Sequence, residues 1–276
     1  MSAEAFMYLE FYGLKEEPFS ITPDPRYIYF SPRHREAFDL LTYAISHRRG
    51  FIELSGEVGS GKTTLCRAVL STLPSHVHTA LVLNPSLTET QLLRAILNDL
   101  GLTVKGRDRL SYIEQLNSYL LFMAKEGMIV AVFIDEAQDL TPSVMEQIRL
   151  LSNLETDQHK LLQIVLSGQP ELRELLNRHE LRQLKQRISV RCHLLPLDLD
   201  ETSEYVAHRL RVAGANSEAI KFTPEAVQMI FNHTKGTPRL INTVCDRAML
   251  AGYVASVRII GTDEVRRAAS EVEVMA

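Results

Sequence analysis

The stretch Gly56-Glu57-Val58-Gly59-Ser60-Gly61-Lys62-Thr63 sets glycines, a lysine and a hydroxyl at the spacing G-x-x-x-x-G-K-[ST]. Glycines carry no Cβ, so successive backbone N–H groups can turn toward one anion. Phe51–Ser55 reads as a short buried strand and Thr64–Leu70 as the start of a helix, whose N-terminus adds partial positive charge at the same place. In that arrangement Lys62 reaches the β- and γ-phosphates of a nucleotide and the Thr63 hydroxyl ligates Mg²⁺. The expected binding stretch is Gly56, Glu57, Val58, Gly59, Ser60, Gly61, Lys62, Thr63 and Thr64.

Cleaving a bound phosphate needs more than a cradle. The apolar run Met128–Ile134 leads into Asp135-Glu136, and an open α/β sheet places its chemistry at such strand ends. Asp135 is expected to hold Mg²⁺ through water, and Glu136 to polarise the attacking water as general base. The next apolar run, Leu162–Leu166, ends at Ser167-Gly168-Gln169. Gln169 is the expected polar group between water and γ-phosphate, with Ser167 as the alternative. Arg187 lies just before a further strand. In a head-to-tail assembly it can reach a neighbour's γ-phosphate, and Arg182 and Arg191 compete for that role. Arg239, in Gly236-Thr237-Pro238-Arg239, opens a helix where the dipole disfavours an idle cation, so it is assigned to the γ-phosphate in cis.

These residues need a scaffold. Strands are expected at Phe51–Ser55, Thr79–Asn84, Ile129–Ile134, Leu162–Ser167 and Ile188–Leu194. Helices are expected between them at Thr63–Leu73, Thr88–Leu100, Leu110–Lys125, Thr141–Leu154 and Glu171–Leu176. Uninterrupted apolar strands suit a parallel sheet covered on both faces, hence a doubly wound five-stranded α/β fold. Beyond Pro196 only helical periodicity continues, at Leu199–Ala213, Pro224–His233, Arg239–Tyr253 and Thr262–Ser270, with Gly214 and Gly236 as stops. The expected organisation is an aromatic and proline-rich arm over 1–30, an α/β nucleotide-binding domain over 31–196, and a small all-helical lid over 197–276. Glu10–Phe30 is read as an ordered, non-helical arm because X-Pro steps disfavour helix, with its aromatics packed on the body of the domain. A helix over Arg33–His47 follows it, with Ser31 as cap.

Composition narrows the class. The chain has 276 residues, 45% hydrophobic and 23% charged, as ordinary globular proteins are. A net charge of -4 argues against bulk attraction to nucleic acid. Cys66, Cys192 and Cys245 are scattered, and the pair His76/His78 has no second pair, so reduced thiols and no metal cage are expected. Met1–Glu10 lacks a basic leader, and no apolar run approaches the roughly 20 residues of a membrane helix. A cytoplasmic location is expected, with any recruitment to the inner membrane through a partner.

Taken together, the chain resembles the AAA+ ATPases, through the phosphate loop, the Asp135-Glu136 strand, the Ser167-Gly168-Gln169 strand, Arg187 and the helical lid with Arg239. More narrowly it resembles the ExeA/GspA family of secretion-pathway ATPases, in the short form typified by the MSHA pilus biogenesis ATPase. The strings behind this are Phe11-Tyr12-Gly13-Leu14, Pro18-Phe19, Thr22-Pro23-Asp24-Pro25-Arg26, Asp135-Glu136-Ala137-Gln138, Ser167-Gly168-Gln169-Pro170-Glu171-Leu172 and Gly236-Thr237-Pro238-Arg239-Leu240-Ile241-Asn242. The resemblance implies ATP and Mg²⁺ as ligands, hydrolysis of ATP to ADP and phosphate, and self-association into a ring or filament. It also implies work on a type II secretion or type IV pilus machine. Longer members continue into a membrane segment and a peptidoglycan-binding domain, which this sequence is not expected to supply. The competing expectation is a DNA-associated transposition regulator of the TniB/TnsC kind, with Lys105, Arg107 and Arg109 as a basic loop on phosphates.

Overall fold

A computed structural model of the chain describes residues 3–83, 86–155, 160–215 and 220–273. In chain order, α1 (Ala3–Tyr12) and α2 (Pro32–Ser46) precede β1 (Phe51–Gly56) and α3 (Lys62–Thr72). Then come β2 (Val77–Val82), α4 (Glu89–Asp99), α5 (Arg109–Lys125), β3 (Ile129–Ile134), α6 (Pro142–Leu151), β4 (Leu162–Gly168), α7 (Glu171–Leu176), α8 (Arg182–Arg187) and β5 (Ile188–Leu194). The remainder is α9 (Leu199–Val212), β6 (Lys221–Phe222), α10 (Pro224–Thr234), α11 (Pro238–Val254), β7 (Ile259–Ile260) and α12 (Thr262–Glu273).

Two compact units result. One comprises Arg33–Val58 and Leu65–Leu194; the other comprises the described residues of Met1–Pro32, Gly59–Thr64 and Leu195–Ala276.

The first unit is built on a five-stranded sheet in the order β2-β3-β4-β1-β5, every pairing parallel. Strand burial follows from that order. The interior strands β1, β3 and β4 are buried at every position, whereas the edge strands β2 and β5 expose part of theirs. This is why Ile129–Ile134 could be uniformly apolar: both faces are covered. The helices start where short polar side chains can satisfy free N–H groups. Thr88 and Gln91 form a reciprocal capping box on α4, Asp108 accepts from the Ser111 N–H at α5, and Thr141 precedes Pro142 at α6.

The second unit has its own core, in which Tyr12, Phe19 and Tyr27 from the beginning of the chain pack with Tyr205, Ile230, Ile241 and Met249. Burial of these large side chains is its main stabilising term, at roughly 25 cal/mol per Å² of apolar surface removed from water. Arg209 on α9 holds the segment in place. Its buried guanidinium lies 4.7 Å from the Tyr27 ring, donates to the Pro18 and Ser20 carbonyls, and contacts the Tyr205 hydroxyl at 3.0 Å. The Asn242 amide also donates to the Ser20 carbonyl, at 3.5 Å.

Several expectations change. Glu10–Tyr12, expected in the non-helical arm, belong to helix α1, and the arm aromatics pack with the helices that follow Pro196. That later part is not all-helical: β6 and β7 pair in parallel, Lys221 with Ile259 and Phe222 with Ile260. Strand β2 begins at Val77, opposite Ile129, so it lies two residues earlier than expected; Asn84, its expected end, is outside the described residues. All three cysteines are buried, and none is in a disulfide.

Candidate functional site

The sheet brings three strand ends level. Ser55 of β1 lies opposite Gly168 of β4, and Leu166 of β4 opposite Ile134 of β3. So the neighbours β1, β4 and β3 run out, in order, into the glycine loop, Ser167-Gly168-Gln169 and Asp135-Glu136. Carboxyl ends of parallel strands are where open sheets carry ligands.

The loop is left-handed where its glycines allow it, with φ +77° at Gly59 and +96° at Gly61. Glu57 and Val58 are exposed, Ser60 and Lys62 are buried, and Thr63 and Thr64 are half-buried in the first turn of α3. Arg239, the second residue of α11, donates its backbone N–H to the Gly59 carbonyl at 3.2 Å. A Cβ on Gly59 would lie 2.6 Å from the Arg239 Cβ, closer than real atoms approach. Gly59 therefore needs to be glycine twice over, for its dihedral and for space.

Asp135 is buried and accepts the Ser167 hydroxyl at 2.7 Å and the Glu136 N–H at 3.1 Å. Glu136 is half-buried and left-handed, at φ 51° and ψ 38°. Its Oε2 accepts from the Gln138 amide at 2.9 Å and from the Gln169 amide at 3.3 Å. Both polar candidates on β4 are thus engaged, Ser167 with Asp135 and Gln169 with Glu136. Thr63 and Asp135 each carry a hard oxygen donor of the kind Mg²⁺ takes. Among the described residues no cluster of three or more His, Cys, Asp or Glu side chains forms a protein-only metal cage.

The arginine candidates separate. Arg187 donates to the Ser152 hydroxyl, and Arg191 pairs with the buried Glu53 at 3.4 Å and with the Lys185 carbonyl at 3.0 Å. Arg182 opens α8 and is exposed. In the basic loop, Lys105 and Arg107 are exposed, while Arg109 has become the first residue of α5 and pairs with Glu89 at 3.0 Å.

Two participants were not legible in the sequence. Gln138 bridges two strand ends, and Glu53 collects Arg173 at 2.9 Å as well as Arg191. A glutamine two residues beyond an acidic pair was the one available signal for the first; an acid inside an apolar strand was the signal for the second. Beside Glu53, His193 contacts the Ser55 hydroxyl at 3.1 Å. Burial, and next the Arg173 guanidinium, hold its imidazole below the ordinary histidine value.

Comparison with known proteins agrees with this architecture. Residues 45–176 match the AAA domain family. Over 267 residues the chain is 46% identical to general secretion pathway protein A of Aeromonas hydrophila, covering 96% of this chain and 48% of that protein. The chain thus spans about half the length of this curated relative. Among solved structures, Aeropyrum pernix ORC2 with ADPNP and ADP superposes with a TM-score of 0.71 at 17% identity, over 93% of this chain and 72% of that one. Drosophila ORC bound to DNA gives 0.71 at 19%, over 98% and 66%. Thermotoga maritima RuvB, a Holliday junction branch migration motor, gives 0.58 at 20%, over 87% and 69%. At these identities the structures speak for the fold alone.

Proposed function

We propose, from its similarity to the AAA domain family over residues 45–176 and to general secretion pathway protein A, that the chain binds ATP with Mg²⁺ and hydrolyses it to ADP and phosphate. The observation that carries this reading is the run of neighbouring strands β1, β4 and β3, whose level ends bear the phosphate loop, the polar Ser167-Gly168-Gln169 and the acidic pair. In the reaction, residues Gly56 to Thr64 cradle the phosphates and Lys62 offsets their charge. Thr63, and Asp135 through water, would hold Mg²⁺, which would supply charge neutralisation for the phosphates when bound. Glu136 takes a proton from water as the water oxygen bonds to the γ-phosphorus. The bond from that phosphorus to the bridging oxygen breaks, and its electron pair leaves with ADP. Gln169 orients the water, and Arg239 senses the γ-phosphate in cis. Arg187 serves a neighbouring subunit's nucleotide, with Arg182 and Arg191 as its competitors.

On this reading 1–30 is an arm, 31–196 the nucleotide-binding domain and 197–276 the lid. Nucleotide-dependent self-association into a ring or filament drives assembly or remodelling of a type II secretion or type IV pilus machine, in the cytoplasm and at the inner membrane through a partner. The identity to general secretion pathway protein A supports the secretion part. Among the described residues no helix is long and apolar enough to cross a membrane. The test is capture from native cells with Glu136→Gln, loaded with ATP. Recovery of secretion or pilus assembly proteins is expected. Recovery of those proteins in equal amount with Lys62→Ala, or their absence from both, would overturn the proposed role.

A further inference from the structure

Glu136 has a backbone conformation that few non-glycine residues hold, with φ 51° and ψ 38°. A left-handed glutamate persists where neighbours fix it. The neighbour here is Gln138. Its Nε2 donates to Glu136 Oε2 at 2.9 Å, while its Oε1 accepts the backbone N–H of Gln169 at 3.0 Å. One side-chain amide thus uses both of its ends, one on the acidic strand end and one on the neighbouring strand end. The amide cannot be turned over: its oxygen would then face a carboxylate and its NH₂ would face an N–H.

Gly168 makes room for this bridge. A Cβ there would lie 2.7 Å from Gln138 Oε1 and 3.0 Å from the Leu172 side chain. Gly168 is not among the residues with positive φ, so glycine is needed at this position for space rather than for its dihedral. Finally, the Gln138 and Gln169 amides both donate to Oε2. Glu136 Oε1 accepts no side-chain hydrogen bond from the described residues, which leaves it as the oxygen able to take a proton from water.

Resting on the reading of Glu136 as general base, we propose that Gln138 is a positioning residue, which fixes Oε2 so that Oε1 is presented to the attacking water. Gln138 touches neither nucleotide nor water in this scheme; it acts through Glu136 and through the Gln169 backbone.

The test compares wild type, Glu136→Gln, Gln138→Met and Gln138→Glu for ATP affinity and single-turnover hydrolysis. Gln138→Met fills similar space without hydrogen bonds. Gln138→Glu keeps the acceptor for the Gln169 N–H but sets a carboxylate against a carboxylate. Both are expected to bind ATP within about threefold of wild type and to hydrolyse it at least about tenfold more slowly, a part of the roughly 10²–10⁴-fold that a general base contributes. Retained ATP affinity with a slowed chemical step is the split expected of a positioning residue; a merely structural role would weaken binding and turnover together. Hydrolysis by Gln138→Met within twofold of wild type, or faster, while Glu136→Gln is inactive, overturns the role of Gln138 alone. Wild-type hydrolysis by Glu136→Gln instead removes Glu136 as base and the positioning role with it. Should Gln138→Met fail to fold, Gly168→Ala reads the same contact, because its methyl group must displace the Gln138 amide; tenfold slower hydrolysis with retained binding is again expected, and an unchanged rate overturns the role.

Discussion

The Ser167 hydroxyl donates to the Asp135 carboxylate at 2.7 Å, joining the ends of the adjacent strands β4 and β3 with both side chains buried. A buried carboxylate needs its donors, because water has little access to replace one that is lost. Ser167→Ala is therefore expected to lower stability by about 1–3 kcal/mol. Urea unfolding checks this: the midpoint should fall with the slope unchanged, and an unmoved midpoint would show that water replaces the bond at no net cost.

Lys62→Ala should abolish ATP binding, and Glu136→Gln should retain it while losing turnover by roughly a hundredfold or more. Titration with a fluorescent ATP analogue and phosphate-release assays separate the two. Retained micromolar affinity in Lys62→Ala would count against the phosphate role.

Arg187→Ala should slow hydrolysis without weakening ATP binding by the monomer. Mixing it with a hydrolysis-dead subunit that keeps Arg187 should restore activity, since a finger acting in trans serves the neighbour's site. Absence of rescue would leave Arg187 to its bond with Ser152 and turn attention to the exposed Arg182.

Arg209→Met should cost about 2–4 kcal/mol, because it removes a cation over the Tyr27 ring and takes a donor from the buried Pro18 carbonyl and from the half-buried Ser20 carbonyl. Residues 13–31 should become sensitive to limited proteolysis at temperatures where the sheet unit stays resistant. Equal resistance of that segment in mutant and wild type would mean that burial of Phe19 and Tyr27 alone retains it.

Acidification should destabilise the protein through two imidazoles. Burial is the first cause holding both His193 and His208 below the ordinary value of 6.5, followed by Arg173 for His193 and by Arg211 and Arg209 for His208. The unfolded chain therefore binds these protons more readily. Their contribution is complete above about pH 6.5 and is lost as pH falls through the lowered folded values. His193→Gln should flatten part of the slope of stability against pH below 6.5; an identical slope would mean that His193 titrates alike in both states.

The parts of this architecture readable from the chain were those set by local pattern. Ile129–Ile134 announces a central strand because coverage on both faces demands apolar residues throughout, and the glycine loop announces itself because few residues tolerate its dihedrals. Two-residue strands such as β6 and β7 are too short to produce a period. Helix α1 was hidden because aromatic, apolar residues dominate it, and its anchor lies far along the chain: the Tyr12 hydroxyl donates to the Met249 carbonyl at 2.9 Å. In the candidate site, Asp135 and Glu136 were visible as a pair at a strand end. The bridge through Gln138 was not, since its second partner belongs to another strand brought alongside by the sheet order.

The core shared by the chain's first aromatics and its last helices has a consequence for biosynthesis. Tyr27 leaves the ribosome roughly 180 residues ahead of Tyr205, so at roughly 5–20 residues per second it waits about 10–40 s for the helices that shelter it. During that interval the sheet unit can complete while the greasy leading segment stays without its native cover. A nascent chain stalled near residue 200 should therefore recruit holdase chaperones to its leading end, and release them once α11 and α12 have emerged.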